Sequence, residues 1–325
     1  MRGSSAVADV ILRYVDHAEL TVTDGVLLAH GLVARLAEQA GARVLFIKGP
    51  TAVAAGARPA RPSSDVDVLV DPAAFDRLCL AIEAAGWFRR FVPLPVHRAA
   101  DLAFDHSGHF IREGWPCDLD VHFLFPGFLA EPQVVFEALW ERRTTTVVAG
   151  RSVTTPDVLG HALVVALHAL RDVGRPWSRE DLDHLENTLG STLDDGGREA
   201  LGRLAAATGS DQSARALLER VGVALPPPPR EQSPALAAWR VRQEFGTVSG
   251  SLWLVELRRA RWRERPRILL HAVVPPREQL LSAHLAPAAS RREIARLHAA
   301  RWGRGVRALP RAMTILRKVR RSADG

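Results

Sequence analysis

Two aspartates separated by one residue, Asp65 and Asp67, open an apolar run that continues through Val68, Leu69 and Val70. In a strand, residues i and i+2 project to the same side, so these carboxylates stand roughly 6–7 Å apart on one face. Two anions that close repel each other unless a cation sits between them. Magnesium accepts carboxylate oxygens readily, and a pair of ions about 3.5–4 Å apart can clamp both sides of a phosphoryl displacement. A third carboxylate on a neighbouring strand would complete such a site. Asp120 is the candidate, with Asp118 one pleat away on the same face, in a run where Leu119, Val121 and Phe123 take the other face. On its own an Asp-x-Asp pair is equally the solvated end of a strand, so its neighbours decide the reading.

Those neighbours are cations and small hydroxyls. Lys48-Gly49-Pro50 ends an apolar run, and Arg61-Pro62-Ser63-Ser64 leads directly into Asp65. Of the 43 basic residues only Lys48 and Lys318 are lysine. A lysine kept in a chain that otherwise writes arginine suits a place where a compact point charge serves better than a planar fork. His122 shares the face of Asp120. His161 and His168, seven apart, lie two turns apart on one side of a helix; they read as histidines packed against the N-terminal segment, with metal ligation or an acceptor-side role as the alternative.

The positioning elements follow from periodicity. Asp24 with Val26, Leu27, Leu32, Val33 and Leu36 reads as an amphipathic helix closed by Gly41. Val44-Leu45-Phe46-Ile47 reads as a buried strand, residues 51–57 as a short helix, residues 58–64 as loop, and residues 65–70 as a second strand. Asp71-Pro72 starts a helix that turns Phe75, Leu78 and Ile82 inward and ends at Gly86. Residues 109–111 and 117–125 flank Glu113-Gly114-Trp115-Pro116 as a hairpin.

From about residue 151 the period becomes helical. Thr155-Pro156 caps a helix to about residue 172, and Ser178 with Asp181 forms a capping-box variant for the next, to Leu189. Two short helical patterns fill 195–222, and residues 226–229 make a stiff proline linker. Arginine-rich helices are expected over 239–245, 251–264 and 291–321, broken at Val274-Pro275-Pro276. The fold class is therefore α+β: a small mixed sheet flanked by helices in 1–150, a helical domain in 151–225, and a basic helical region in 230–325.

Composition sets the outer limits. At 325 residues, 47% hydrophobic and 24% charged, the chain can bury a substantial core. Two cysteines make no disulfide framework, the N-terminus carries no secretory pattern, and the longest apolar stretch, 161–170, is about half a membrane span. A cytoplasmic protein without membrane partners is expected. Net charge is +7, but residues 230–325 carry 21 Lys and Arg against 7 Asp and Glu, so the basic character is regional. No Gly-x-Ser-x-Gly elbow, Cys-x-x-Cys pair, His-Glu-x-x-His helix, P-loop or kinase motif set occurs.

The run Lys48-Gly49, short helix, Arg61-Pro62-Ser63-Ser64-Asp65-Val66-Asp67-Val68-Leu69-Val70 resembles the nucleotidyltransferase motif of the DNA polymerase β superfamily. More narrowly, it is similar to bacterial uncharacterised nucleotidyltransferases, whose later acidic-hydrophobic-His-aromatic strand is matched by Asp120-Val121-His122-Phe123. The specific motifs cover about 80 residues. The chain departs from the wider superfamily in having Gly49-Pro50 where glycine is usually followed by a serine that touches the triphosphate. Proline offers neither hydroxyl nor N–H.

The resemblance implies a polymerase β-like core and in-line attack of an acceptor on the α-phosphorus of a nucleoside triphosphate, with pyrophosphate leaving. Asp65 and Asp67 would hold two Mg²⁺ ions (Mn²⁺ as substitute), and Asp120 would ligate the catalytic ion and receive the acceptor's proton. Lys48, Gly49, Arg61, Ser63 and Ser64 would contact the phosphates. ATP is the default donor because it is abundant. Relatives of this kind accompany bacterial polysaccharide or peptide natural-product pathways, which suggests a tailoring step on an unidentified acceptor. Two alternatives stand beside it. One is a toxin-like transferase acting on tRNA or protein, for which the basic region, with Trp239, Trp253, Trp262 and Trp302 interleaved, would supply a nucleic-acid surface. The other is a catalytically inactive nucleotide-sensing or scaffolding module.

Overall fold

The computed structural model describes residues 20–90, 107–231, 233–245, 257, 260–275, 277, 280 and 290–323. Helix α1 (Val22–Gln39) begins where Thr21 Oγ1 accepts from the Asp24 amide at 3.1 Å, and its buried stripe of Val26, Ala29, Val33 and Ala37 faces the sheet. Strand β1 (Val44–Ile47) runs into α2 (Gly49–Ala54), and β2 (Asp65–Val70) follows a loop. Asp71 then caps a short 3₁₀ turn (Pro72–Ala74) by accepting from the Ala73 amide at 3.1 Å, and α3 (Phe75–Ala84) continues from it.

Strands β3 (Phe88–Arg89), β4 (Ser107–Ile111) and β5 (Asp118–His122) complete a five-stranded mixed sheet of order β1-β2-β5-β4-β3. Only the β2–β5 pair is parallel; the others are antiparallel. This makes the α+β fold expected from the sequence. Helix α4 (Pro132–Glu141) leads to a separate hairpin, β6 (Arg143–Val148) and β7 (Arg151–Pro156). Helices α5 (Val158–Arg171), α6 (Pro176–Thr192), α7 (Asp195–Ala207) and α8 (Arg215–Arg220) follow, then α9 (Pro234–Phe245), α10 (Arg265–Val273) and α11 (Arg291–Ala323).

Alternation along the strands divides the core in two. Val44, Phe46, Val66, Val68, Val70, Leu119 and Val121 pack with α1 and α3. Leu45, Ile47 and Leu69, on the opposite face, join Phe125, Phe136 and the apolar sides of α5 to α9. Asp65, Asp67, Asp118, Asp120 and His122 belong to this second face by the same parity, so the helical layer lies on the side that carries the acidic residues.

Several local expectations are corrected. Thr155 and Pro156 end strand β7; the cap of α5 is Asp157, which accepts from the Gly160 amide at 2.9 Å. The β6–β7 hairpin was not foreseen, because its Thr- and Arg-rich arms lack an apolar alternation. Helix α6 starts at Pro176, and Asp181 is not a capping residue there but an ion-pair partner of Arg61. Residues 251–256, 258 and 259 of the expected helix over 251–264 lie outside the described residues, and α10 occupies a stretch that had no helical expectation beyond Glu264. Val274 ends α10, and α11 packs on it through a hydrogen bond from the Trp302 indole to the Val273 carbonyl at 2.7 Å. Among the described residues no helix is long and apolar enough to cross a membrane.

Candidate active site

Register brings the site together. Asp65 lies opposite Asp118 and Asp67 opposite Asp120 across the parallel β2–β5 pair, with His109 of β4 opposite Asp120 on the far side. The expected carboxylates therefore meet on one face. Asp67, at 4% exposure, is the deepest of them.

Lys48 reaches Asp67 from the end of β1, its Nζ 2.7 Å from Asp67 Oδ1. The backbone places it there at a conformational cost. Lys48 has φ +64° and ψ −164°, a region that glycine alone enters freely and that costs about 1–3 kcal/mol otherwise. Gly49 follows at φ +52°, so two successive left-handed residues turn the chain from β1 into α2. Thr51 Oγ1 secures the turn by donating to the Lys48 carbonyl at 2.8 Å. The ammonium also lies 5.5 Å from the centroid of the Phe125 ring, which walls it from solvent.

Electrostatics separates the carboxylates. Burial alone would raise the Asp67 carboxyl, but Lys48 and the hydrogen bond from His122 Nε2, at 3.1 Å, outweigh it and hold Asp67 well below the usual carboxylate range. Asp65 has no hydrogen-bonded cation among the described residues: burial first, and the neighbouring Asp67 charge second, push it up to about 6 against the charges of Lys48 and Arg58. Asp118 is raised by burial, against the opposing charge of Arg90 at 3.1 Å. Asp120 Oδ1 accepts from His109 Nδ1 at 2.6 Å; that bond raises the imidazole above its ordinary value against the effect of burial. Ser107 Oγ lies 3.2 Å from the other ring nitrogen. Burial lowers His122.

The donor set suits a divalent cation. One ligand atom each from Asp67, Asp120 and His122 lie within 4.8 Å of one another. Two carboxylates are oxygen donors of the kind Mg²⁺ and Mn²⁺ take, and an imidazole nitrogen widens the set toward softer divalent ions. Asp65, the other expected metal ligand, is outside this group of three and stands one pleat from Asp67.

The expected phosphate contacts are placed differently from one another. Lys48 and Gly49 form the turn beside Asp67, and Ser63 Oγ lies 3.2 Å from where a β-carbon on Gly49 would sit. Ser64 is exposed, and its carbonyl accepts from the Asp118 amide at 3.4 Å. Arg61 is engaged elsewhere: its two terminal nitrogens bind the Asp181 carboxylate of α6 at 2.7 and 2.5 Å. Its guanidinium also lies 5.8 Å from the centroid of Trp177, whose other neighbour is His168, stacked at 4.7 Å. Burial holds His168 well below its ordinary value, as it does His161, so both are neutral packed histidines. His109, Arg58 and Asp181 adjoin the site but had no functional role in the sequence reading, where Asp181 served only as a helix-capping residue. His109 was visible as one arm of a hairpin; the register that sets it against Asp120 depends on a turn geometry the sequence leaves open.

The site thus combines paired strand-borne carboxylates on a mixed sheet with a lysine turn. The chain belongs to the uncharacterised nucleotidyltransferase family, whose model matches residues 2–216. Among curated proteins none matches it. Two solved structures are similar to it. One is an antigenic nucleotidyltransferase-like protein from Paracoccidioides brasiliensis, with 14% identity over 62% of this chain and 94% of that one, at a TM-score of 0.38. The other is a tRNA nucleotidyltransferase complexed with a primer tRNA and an incoming ATP analogue, with 13% identity over 90% of this chain and all of that one, at a TM-score of 0.24.

Proposed function

We propose that this protein transfers a nucleoside monophosphate from a nucleoside triphosphate, ATP by default, to an acceptor whose identity is open. The observation that carries the reading is the juxtaposition of Asp67 and Asp120 across parallel strands, with the Lys48 ammonium 2.7 Å from Asp67. A divalent cation bound by Asp67 and Asp120, with Asp65 and His122 adjoining, would supply charge neutralisation for the phosphoryl group. The acceptor's oxygen or nitrogen forms a bond to the α-phosphorus, the bond to the bridging oxygen of the β-phosphate breaks, and pyrophosphate leaves with that electron pair. Asp120 takes the acceptor's proton, and His109 fixes the orientation of that carboxylate through its 2.6 Å hydrogen bond. Lys48 supplies positive charge at the turn. Positioning and electrostatic stabilisation are the main contributions the protein makes to such a step.

The test is a transfer assay with each of four α-³²P-labelled triphosphates, Mg²⁺ or Mn²⁺, and cell extract split into protein, RNA and small-molecule fractions. Metal-dependent label in one fraction, lost in Asp65→Ala/Asp67→Ala, is the expected result and names donor and acceptor class together. No transfer and no nucleotide binding by calorimetry would overturn the reading, and binding without transfer would favour a sensing module.

A second reading, with a nucleic acid as acceptor, draws on the basic region. There Trp262 is 72% and Trp302 48% exposed amid arginines. RNA affinity falling steeply with salt would support it; affinity insensitive to salt would remove it.

A further inference from the structure

We propose that Arg58 anchors the pyrophosphate half of the triphosphate, with Arg61 and Asp181 acting as the brace that holds it. The inference rests on the nucleotidyltransferase reading and assigns the polyanion contact to a residue of the 58–64 loop.

Besides Arg90, which pairs with Asp118 at 3.1 Å, three cations stand near the acidic face among the described residues, and two are already matched. Lys48 pairs with Asp67 at 2.7 Å. Arg61 uses both terminal nitrogens on Asp181, a carboxylate only 1% exposed. That fork-to-fork geometry takes both carboxylate oxygens and neutralises one guanidinium. Arg58 is the third. Its side chain is 13% exposed, its Nε stands 3.9 Å from Asp181 Oδ1, beyond hydrogen-bond range, and Nε is fully shielded without an acceptor. One carboxylate thus faces two guanidiniums.

A shielded guanidinium Nε without an acceptor is unfavourable unless the rest of the group is well met, and the terminal nitrogens remain available to a ligand. Its surroundings bear this out: burial, then the charge of Arg61, lowers Arg58 below its ordinary value, while Asp181, Asp65 and Asp67 pull the other way. Asp65 and Asp67 therefore lie within its field. A second donor on the same loop is in the same condition, for Ser63 Oγ is shielded with no partner. Unmatched positive charge and an unmatched hydroxyl beside a carboxylate pair suit a ligand that is anionic, rich in acceptors and metal-bound. The β- and γ-phosphates have that chemistry, and a planar guanidinium binds phosphate oxygens in pairs.

Arg61 then has a different part. Clamped to Asp181 and laid against Trp177, it fixes the loop to α6 so that Arg58 is held in place before the ligand arrives. It is a positioning residue for Arg58.

Calorimetry on the full-length protein with Mg²⁺ separates the outcomes, with inorganic pyrophosphate, the four nucleoside triphosphates and the matching monophosphates as probes. In Arg58→Ala, affinity for pyrophosphate and triphosphate is expected to fall about 10–100-fold, as for a lost charge-assisted contact, with monophosphate affinity unchanged. Arg58→Lys should recover part of the loss, and the thermal midpoint of both variants should match the parent, which shows the fold is kept. Pyrophosphate affinity at the parental level in Arg58→Ala overturns the inference while leaving the enzyme reading intact. Equal losses for mono- and triphosphate also overturn it. A parent protein that binds neither triphosphate nor pyrophosphate removes both.

Discussion

Asp67 and Asp120 face each other across the parallel strand pair, yet each is held by a different base: Asp67 by Lys48 at 2.7 Å and His122 at 3.1 Å, Asp120 by His109 at 2.6 Å. Lys48 and His122 both contact Asp67 Oδ1, so the lysine acts as a tethered counter-charge of the site.

Neutralising either carboxylate should disable the site to different structural effect. Asp67→Asn leaves the Lys48 ammonium shielded without its anion and should lower stability by about 3 kcal/mol, as for a broken buried pair. Asp120→Asn, at a less buried position, should leave stability nearly unchanged. Both should reduce transfer at least about 100-fold and weaken Mn²⁺ binding in an electron paramagnetic resonance titration. Asp118→Asn is the contrast: its carboxylate pairs with Arg90, stands outside the group of three ligands, and should keep most Mn²⁺ affinity. Equal loss in all three variants would contradict this assignment.

The turn between β1 and α2 should tolerate no side chain at Gly49. Alanine there meets φ +52° and would set its β-carbon 3.2 Å from Ser63 Oγ. The left-handed conformation costs about 1–2 kcal/mol for an L-residue. Urea unfolding of Gly49→Ala should show stability lowered by that amount, read as a lower midpoint at unchanged slope, and a parental midpoint would show that the turn relaxes.

The Arg61–Asp181 brace should appear as coupling. Each single alanine substitution strands a partly buried charge and should cost about 3 kcal/mol, whereas removing both leaves no such charge from the pair. The double variant is expected to be markedly less destabilised than the sum, by about 1–3 kcal/mol. Strict additivity in a double-mutant cycle would mean that the pair contributes nothing beyond its separate parts.

Strands β1, β2 and β5 were legible because their signals are local: an apolar run, an alternation opening in Asp65 and Asp67, and a face shared by Asp118, Asp120 and His122. The meeting of β2 with β5 was legible only as chemistry, since a lone carboxylate pair called for a third. What the sequence could not display were partnerships between distant elements. Asp181 carries a helix-start signature and Arg61 a phosphate-binding one, and their mutual bond across 120 residues outweighs both local readings. Arg58 passed as loop because an orphaned donor has no sequence signature. The β6–β7 hairpin was missed because Arg143 to Val147 is mostly exposed and has no apolar face to announce it.

Acid stability should depend on a buried histidine of α5. His161, fully buried, lies against Thr155, whose hydroxyl donates to the Phe46 carbonyl at 3.0 Å. Thr155 Oγ1 therefore accepts from His161 Nε2–H, which selects one neutral tautomer and ties α5 to both β7 and β1. Burial lowers this imidazole from 6.5 to about 3. Between those values the unfolded chain binds a proton that the folded chain refuses. The stability is fully present above pH 6.5 and is lost as pH falls toward 3. From pH 6.5 to 4 the loss from this residue should be about 3 kcal/mol, at about 1.4 kcal/mol per pH unit. His30, His122 and His168 are lowered too and steepen the parental profile, so the informative quantity is the difference from His161→Gln. That variant keeps a donor for Thr155 and cannot titrate. Denaturant unfolding across this range should give a visibly shallower fall for His161→Gln than for the parent, and parallel profiles would show that His161 is not protonated on unfolding.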